Sequence, residues 1–307
     1  MDLFRSKRKP GEQNHLFLEL LFGLAVLNSF WIGIYGYQQV SLQVALSGLI
    51  FVPLMYASDK LSGGQIFKAP GSFAAMSFSL TVPLTIMEVL RFLFSSNNLF
   101  STAQGSFFSL PSQGFYASIL KGMLPSGVAQ FNGFLAPVYE SAAVVAVTLI
   151  CYRSLRQFFT FLGLPRTTGG VLAAVLGPLP GAVIFALFHP LSHGLVFMLV
   201  AIVVVVYLPT VPVLLEDVTG QTLLPVVGLG IGTIAGWHMG INIAQMGGLL
   251  AWSGTVLSGR ALAQSPALFF TGVLSVGFIA VAYLASAWYV MSLGGTFRVR
   301  DYLRGVL

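Results

Sequence analysis

Charge is what this chain has least of. Only 8% of its 307 residues are Asp, Glu, Lys or Arg, where a soluble domain carries about 25% to cover its surface in water. So little charge excludes an ordinary soluble domain. Cysteine is almost absent as well. Cys151 is the only one, which excludes an intrachain disulfide framework and leaves the redox compartment unread. No internal repeat is evident, so there is no trace of the duplicated halves common in transporters.

What is present is apolar sequence in long runs. Hydrophobic residues make up 56% of the chain and the mean hydropathy is +0.87. Lipid is the solvent that tolerates such a composition. A helical span needs about 20 apolar residues, and the runs predict an all-α, polytopic membrane bundle of about eight such spans. They read at about 16–37, 40–57, 71–95, 135–152, 168–188, 194–214, 222–247 and 265–291. The first run is too long for the core of a signal peptide and lacks a small-residue cleavage site, so it is expected to be retained. Residues 1–307 form one integral membrane domain in this reading.

One long connection, about 96–134, separates the third and fourth spans. It is polar but carries Phe107, Phe108, Phe115, Tyr116 and Phe131. That mixture predicts a loop or short helix at the membrane interface, where aromatic rings favour the headgroup level.

The net charge of +6 does not point to nucleic acid, because the basic residues flank apolar runs instead of forming a patch. With the N-terminus inside, the inner segments hold Arg5, Lys7, Arg8, Lys9, Lys60, Lys68, Arg153, Arg156, Arg166, Arg298, Arg300 and Arg304. The outer segments hold Lys121 and Arg260, and Arg91 falls within a span. This bias is that of cytoplasmic loops, so both ends are expected in the cytoplasm and the span number is even. A bacterial-type inner (plasma) membrane is the expected location.

An ionisable side chain inside a span is costly and therefore a functional candidate. Glu88, Glu140, His189 and His238 qualify. Glu19 is discounted, since it lies about one turn inside the first span. Glu88 and Arg91, three residues apart, share a helix face and read as a neutralising structural pair. Glu140 follows Pro137 by three residues, and Pro is at home in a helix's first turn. Glu140 is thus expected about one turn inside the fourth span. His189 ends the fifth span, ahead of which Pro178 and Pro180 should kink the helix. His238 lies roughly 24 Å along the seventh span at 1.5 Å per residue, with Asn242 on the same face four residues later. All three then fall in the outer half of the bilayer. In the same helix Gly228, Gly232, Gly236 and Gly240 make a smooth stripe suited to close packing, and His238 and Asn242 project away from it.

These residues resemble the CPBP family of intramembrane proteases, which process CAAX proteins and bacteriocins. That family carries Ala-Pro-x-x-Glu-Glu-x-x-x-Arg opening one helix, then Phe-x-x-x-His, then His-x-x-x-Asn or Asp. Here the first motif reads Ala136, Pro137, Val138, Tyr139, Glu140, Ser141, with Val145 in place of Arg; the second is Phe185 to His189 and the third His238 to Asn242. The resemblance covers about 135–245, the catalytic core, and implies an eight-span architecture. Ser141 and Val145 depart from the pattern.

The resemblance implies a glutamate-dependent endopeptidase without a cofactor. Glu140 with His189 would activate a water, since low dielectric strengthens a carboxylate as a base. His238 and Asn242 would donate to the developing oxyanion. The substrate would be a membrane-anchored or lipidated peptide, met in the lipid phase. A zinc site at His189, His193, His238 and Glu140 competes, having suitable ligand types, but Pro190 interrupts the helix between the first two. The rival from another class is a catalytically degenerate scaffold or assembly subunit of a larger membrane complex, which the loss at Ser141 and Val145 favours. A proton-relaying transporter is a third alternative.

Overall fold

The computed structural model describes residues 15–35, 49, 80–86, 89, 122–188, 195–220 and 231–294. Among these, every regular element is a helix. Four helices are long and apolar enough to cross a membrane: Pro125–Phe161, Arg166–Leu187, Met198–Thr219 and Pro266–Leu284. The chain is a membrane protein by that measure. Most of the expected spans at 40–57 and 71–95, and the Glu88–Arg91 pair, lie outside the described residues. So do the aromatic residues from Phe107 to Tyr116 and the terminal basic residues.

The first helix, α1, is His15–Tyr35. The membrane-length rod Pro125–Phe161 has three parts. α2 is Pro125–Gln130, a π-helical turn covers Phe131–Leu135, and α3 is Ala136–Phe161. This corrects the expected start near residue 135: the helix begins ten residues earlier, inside what reads as a connection. The cause is Pro137. A proline within a helix usually marks a first turn, because its ring strikes the carbonyl four residues back. Here the backbone widens into a π turn just before it, with the Ala136 N–H reaching the Phe131 carbonyl, and the helix runs on. Phe131 is accordingly buried in the core, 2% exposed, and not at an interface.

α4 (Arg166–Leu176) and α5 (Pro178–Phe188) return alongside α3. Their break at Gly177 sits immediately before Pro178, where the sequence predicts the kink. The next rod comprises α6 (Leu195–Ala201), a second π turn (Ile202–Tyr207) and α7 (Leu208–Thr219). Pro209 follows that π turn by two residues, as Pro137 follows the first, and the same steric relief accounts for both. α8 is Ile231–Gln245, α9 is Gly248–Val256, α10 is Gly259–Gln264 and α11 is Pro266–Gly294. The short pair α9 and α10 has no counterpart in the sequence reading.

Buried polar side chains bind the bundle at the end where α2 begins. Trp252 Nε1 donates to the Ala129 carbonyl at 2.7 Å and Gln130 Nε2 to the Leu268 carbonyl at 3.0 Å. Asn28 Nδ2 donates to Ser275 Oγ at 2.8 Å, joining α1 to α11. Such contacts between membrane helices contribute about 0.6 kcal/mol each on average, so they align helices more than they stabilise them. At the other end, the Tyr152 hydroxyl donates to Asp217 Oδ2 at 2.7 Å and Arg156 Nη1 to the same oxygen at 2.9 Å. α3 and α7 are thereby joined where both leave the apolar zone.

Candidate functional site

The centre of the site is a meeting of α3 with α8. Glu140 Oε2 and His238 Nε2 stand 3.8 Å apart, each side chain 2% exposed. Glu140 belongs to α3, and His238 crosses it on the antiparallel α8, so residue 140 faces 238 while Asn132 faces 242. The separation is too long for a direct hydrogen bond, yet short for Coulombic coupling in low dielectric. Catalytic contacts are often this loose before substrate enters.

Local sequence explains why the imidazole arrives there. Gly240 lets α8 approach residues 80–86: a Cβ on it would strike the Leu80 carbonyl and come within 2.9 Å of Pro83. His238, two residues earlier, points to the opposite side, as the glycine spacing predicts. Phe185 of α5 packs on the imidazole with ring centroids 5.6 Å apart and is itself 2% exposed. The aromatic residue that opens the Phe-x-x-x-His pattern therefore walls one side of His238.

Asn242 does not reach Glu140. Its Nδ2 donates to the Asn132 carbonyl at 2.8 Å, in the middle of the first π turn. The second π turn does the same, with Trp237 Nε1 donating to the Val204 carbonyl at 3.1 Å. Each π turn thus presents a backbone acceptor to α8, and α8 is held between them. One of the two amide hydrogens of Asn242 serves this tether.

Ser141 supplies a contact that the motif comparison treats only as a departure. Its Oγ lies 3.5 Å from His238 Nδ1, and it is 2% exposed. Glu140 and Ser141 are consecutive and differ by about 100° around the helix, so the imidazole straddles them, one ring nitrogen towards each. Val145, where the pattern has Arg, is 1% exposed in the apolar core.

The position of Glu140 differs from expectation in one respect. It is not one turn inside a helix but well within the 37-residue helix Pro125–Phe161, some 22 Å from its start at 1.5 Å per residue. His189 and His193 lie outside the described residues. Among the described residues no group of three or more His, Cys, Asp and Glu is placed to hold a metal ion. The Tyr152–Arg156–Asp217 cluster went unremarked in the sequence, because Asp217 reads as a loop residue beyond the expected span end.

Chemically, the described arrangement offers a carboxylate and an imidazole sealed from bulk solvent, with a hydroxyl on the second ring nitrogen and an amide one turn away. A water admitted between Glu140 and His238 would find a proton acceptor and a donor together. No protein-family model matches the chain, and no curated protein or solved structure is significantly similar to it.

Proposed function

We propose that the chain is an intramembrane endopeptidase related to the CPBP family, acting on a membrane-anchored or lipidated peptide. The observation that carries this reading is the buried juxtaposition of Glu140 and His238 at 3.8 Å. Two ionisable side chains from distant segments are brought out of solvent to one point. In an apolar bundle such groups are costly unless used.

In this reading Glu140, assisted by His189, takes a proton from a water as its oxygen attacks the peptide carbonyl carbon. The oxyanion that forms receives hydrogen bonds from His238 Nε2 and the second amide hydrogen of Asn242. The held proton passes to the nitrogen as the C–N bond breaks, giving a carboxylic acid and an amine, which then exchange a proton to become carboxylate and ammonium. Fixed donors aimed at developing charge contribute most in a dry site.

The proposal includes eight spans, both ends in the cytoplasm, and a bacterial-type inner membrane. The placement of Arg153, Arg156 and Arg166 near the Asp217 end of the bundle supports that end as the cytoplasmic one. Glu140 then lies roughly 20 Å above Arg153 at 1.5 Å per residue, towards the outer leaflet, which favours peptide maturation or export over prenyl-protein processing. A degenerate scaffold within a membrane complex is the second reading, and the apolar burial of Val145 favours it.

The test is cleavage of a mixed membrane-peptide library by the purified protein in lipid, beside Glu140→Gln and His189→Ala variants that fold. Cleavage by the wild type that both substitutions abolish is expected. A folded wild type that cleaves nothing, in several lipids and with added zinc, would transfer the case to the scaffold.

A further inference from the structure

We infer that Ser141 is a positioning residue that holds His238 as the Nε2–H tautomer, with the serine hydroxyl donating to Nδ1. A neutral imidazole has one N–H and one bare nitrogen, and the partner of one nitrogen decides the state of the other. Here Ser141 Oγ lies 3.5 Å from Nδ1 and Glu140 Oε2 lies 3.8 Å from Nε2.

Two assignments are available. If Nδ1–H donated to the serine, the bare Nε2 would turn its lone pair towards a carboxylate oxygen with almost no solvent to intervene. If the serine donates instead, Nε2 carries the proton and presents a positive edge to that oxygen. Low dielectric magnifies the difference, and the second arrangement is the one the geometry points to.

The consequence is particular to this chain. A serine donates as well as accepts, so its hydroxyl can serve Nδ1 and leave the ring proton on the nitrogen facing the site. Ser141 is then no mere loss from the pattern. It makes His238 a hydrogen-bond donor, the role that the proteolytic reading requires. For its effect on rate, though not for the tautomer itself, the inference rests on that reading.

The experiment is nitrogen NMR of the full chain in lipid nanodiscs with labelled histidine, His238 being assigned by its loss in His238→Gln. The wild type should show the Nε2–H form, Ser141→Ala a mixture of both, and Ser141→Thr the wild-type pattern. In the cleavage assay, Ser141→Ala should lower kcat roughly tenfold, the order of one hydrogen bond, with KM unchanged and Thr restoring the rate. An Nδ1–H ring in the wild type, or no change on Ser141→Ala, overturns the inference. The expected tautomers without cleavage by any variant overturn the proteolytic reading and leave the inference standing.

Discussion

Helix α3 carries two contacts between ionisable side chains, and they differ in nearly every respect. Near its far end Arg156 meets Asp217 at 2.9 Å, with side chains 43% and 50% exposed and the Tyr152 hydroxyl on the same carboxylate oxygen. Four turns earlier Glu140 meets His238 at 3.8 Å, both 2% exposed. The contact with the better geometry is the one in the easier environment. At a polar boundary two opposite charges gain little from meeting and lose little by parting. In the interior both groups have surrendered their hydration, so bringing them together there costs far more than the exposed pair does. The exposed pair is the strut, and the buried pair marks the site.

Substitutions along α3 and its partners can break that contrast. The largest effect is expected from Glu140→Gln, which should lower cleavage by a factor of about 10² to 10⁴, the contribution of a positioned general base. Its thermal midpoint should not fall, because a neutral amide is easier to bury; a large drop in midpoint would make Glu140 structural. Gly240→Ala comes next. Its new methyl meets the Leu80 carbonyl, backbone that is slow to yield, and overpacking of this kind costs about 1–3 kcal/mol. Thermal unfolding in detergent would read the loss, and cleavage should fall with it as α8 and His238 are displaced. Asn242→Ala should cost about 1–3 kcal/mol through the abandoned Asn132 carbonyl, measured the same way, and should slow cleavage more than Gly240→Ala at equal stability. The smallest effect belongs to Asp217→Asn. At most about 1 kcal/mol is expected, with cleavage unchanged, and a double-mutant cycle with Arg156→Ala would isolate the pair. Loss of cleavage in Asp217→Asn would erase the distinction between strut and site.

How much of this was legible in the sequence depends on the residue. Glu140 and His238 stood out because an ionisable group in an apolar run has few innocent explanations, and the four-residue spacing of His238 and Asn242 placed them on one face. Gly240 as a packing position and the break before Pro178 followed from the same simple periodicities. The beginning of the rod Pro125–Phe161 did not follow. Ser126, Gln130 and Asn132 look like loop residues, and nothing local announces that Gln130 is fully buried against the Leu268 carbonyl. Pro137 then imitates a helix start, since a π turn leaves no composition signal of its own. Asp217 was missed for a related reason: its partner Arg156 lies far away in sequence, and only the antiparallel return of α7 brings them together. Periodicity speaks for one helix at a time, whereas these contacts belong to pairs.

The π turn at Phe131–Leu135 also acts as a gear between the two halves of its rod. Upstream, α2 is locked in rotation by Trp252 on Ala129 and by Gln130 on Leu268, and the ring of Trp252 occupies the space a side chain at Gly133 would need. Downstream, α3 carries Glu140. Each residue turns a helix by about 100°, so a rod one residue shorter at this point, running as uninterrupted α-helix, would keep α2 in its lock and swing the carboxylate a quarter-turn or more away from His238. The aim of Glu140 is thus set by the count of residues in a single turn, upstream of any contact it makes itself.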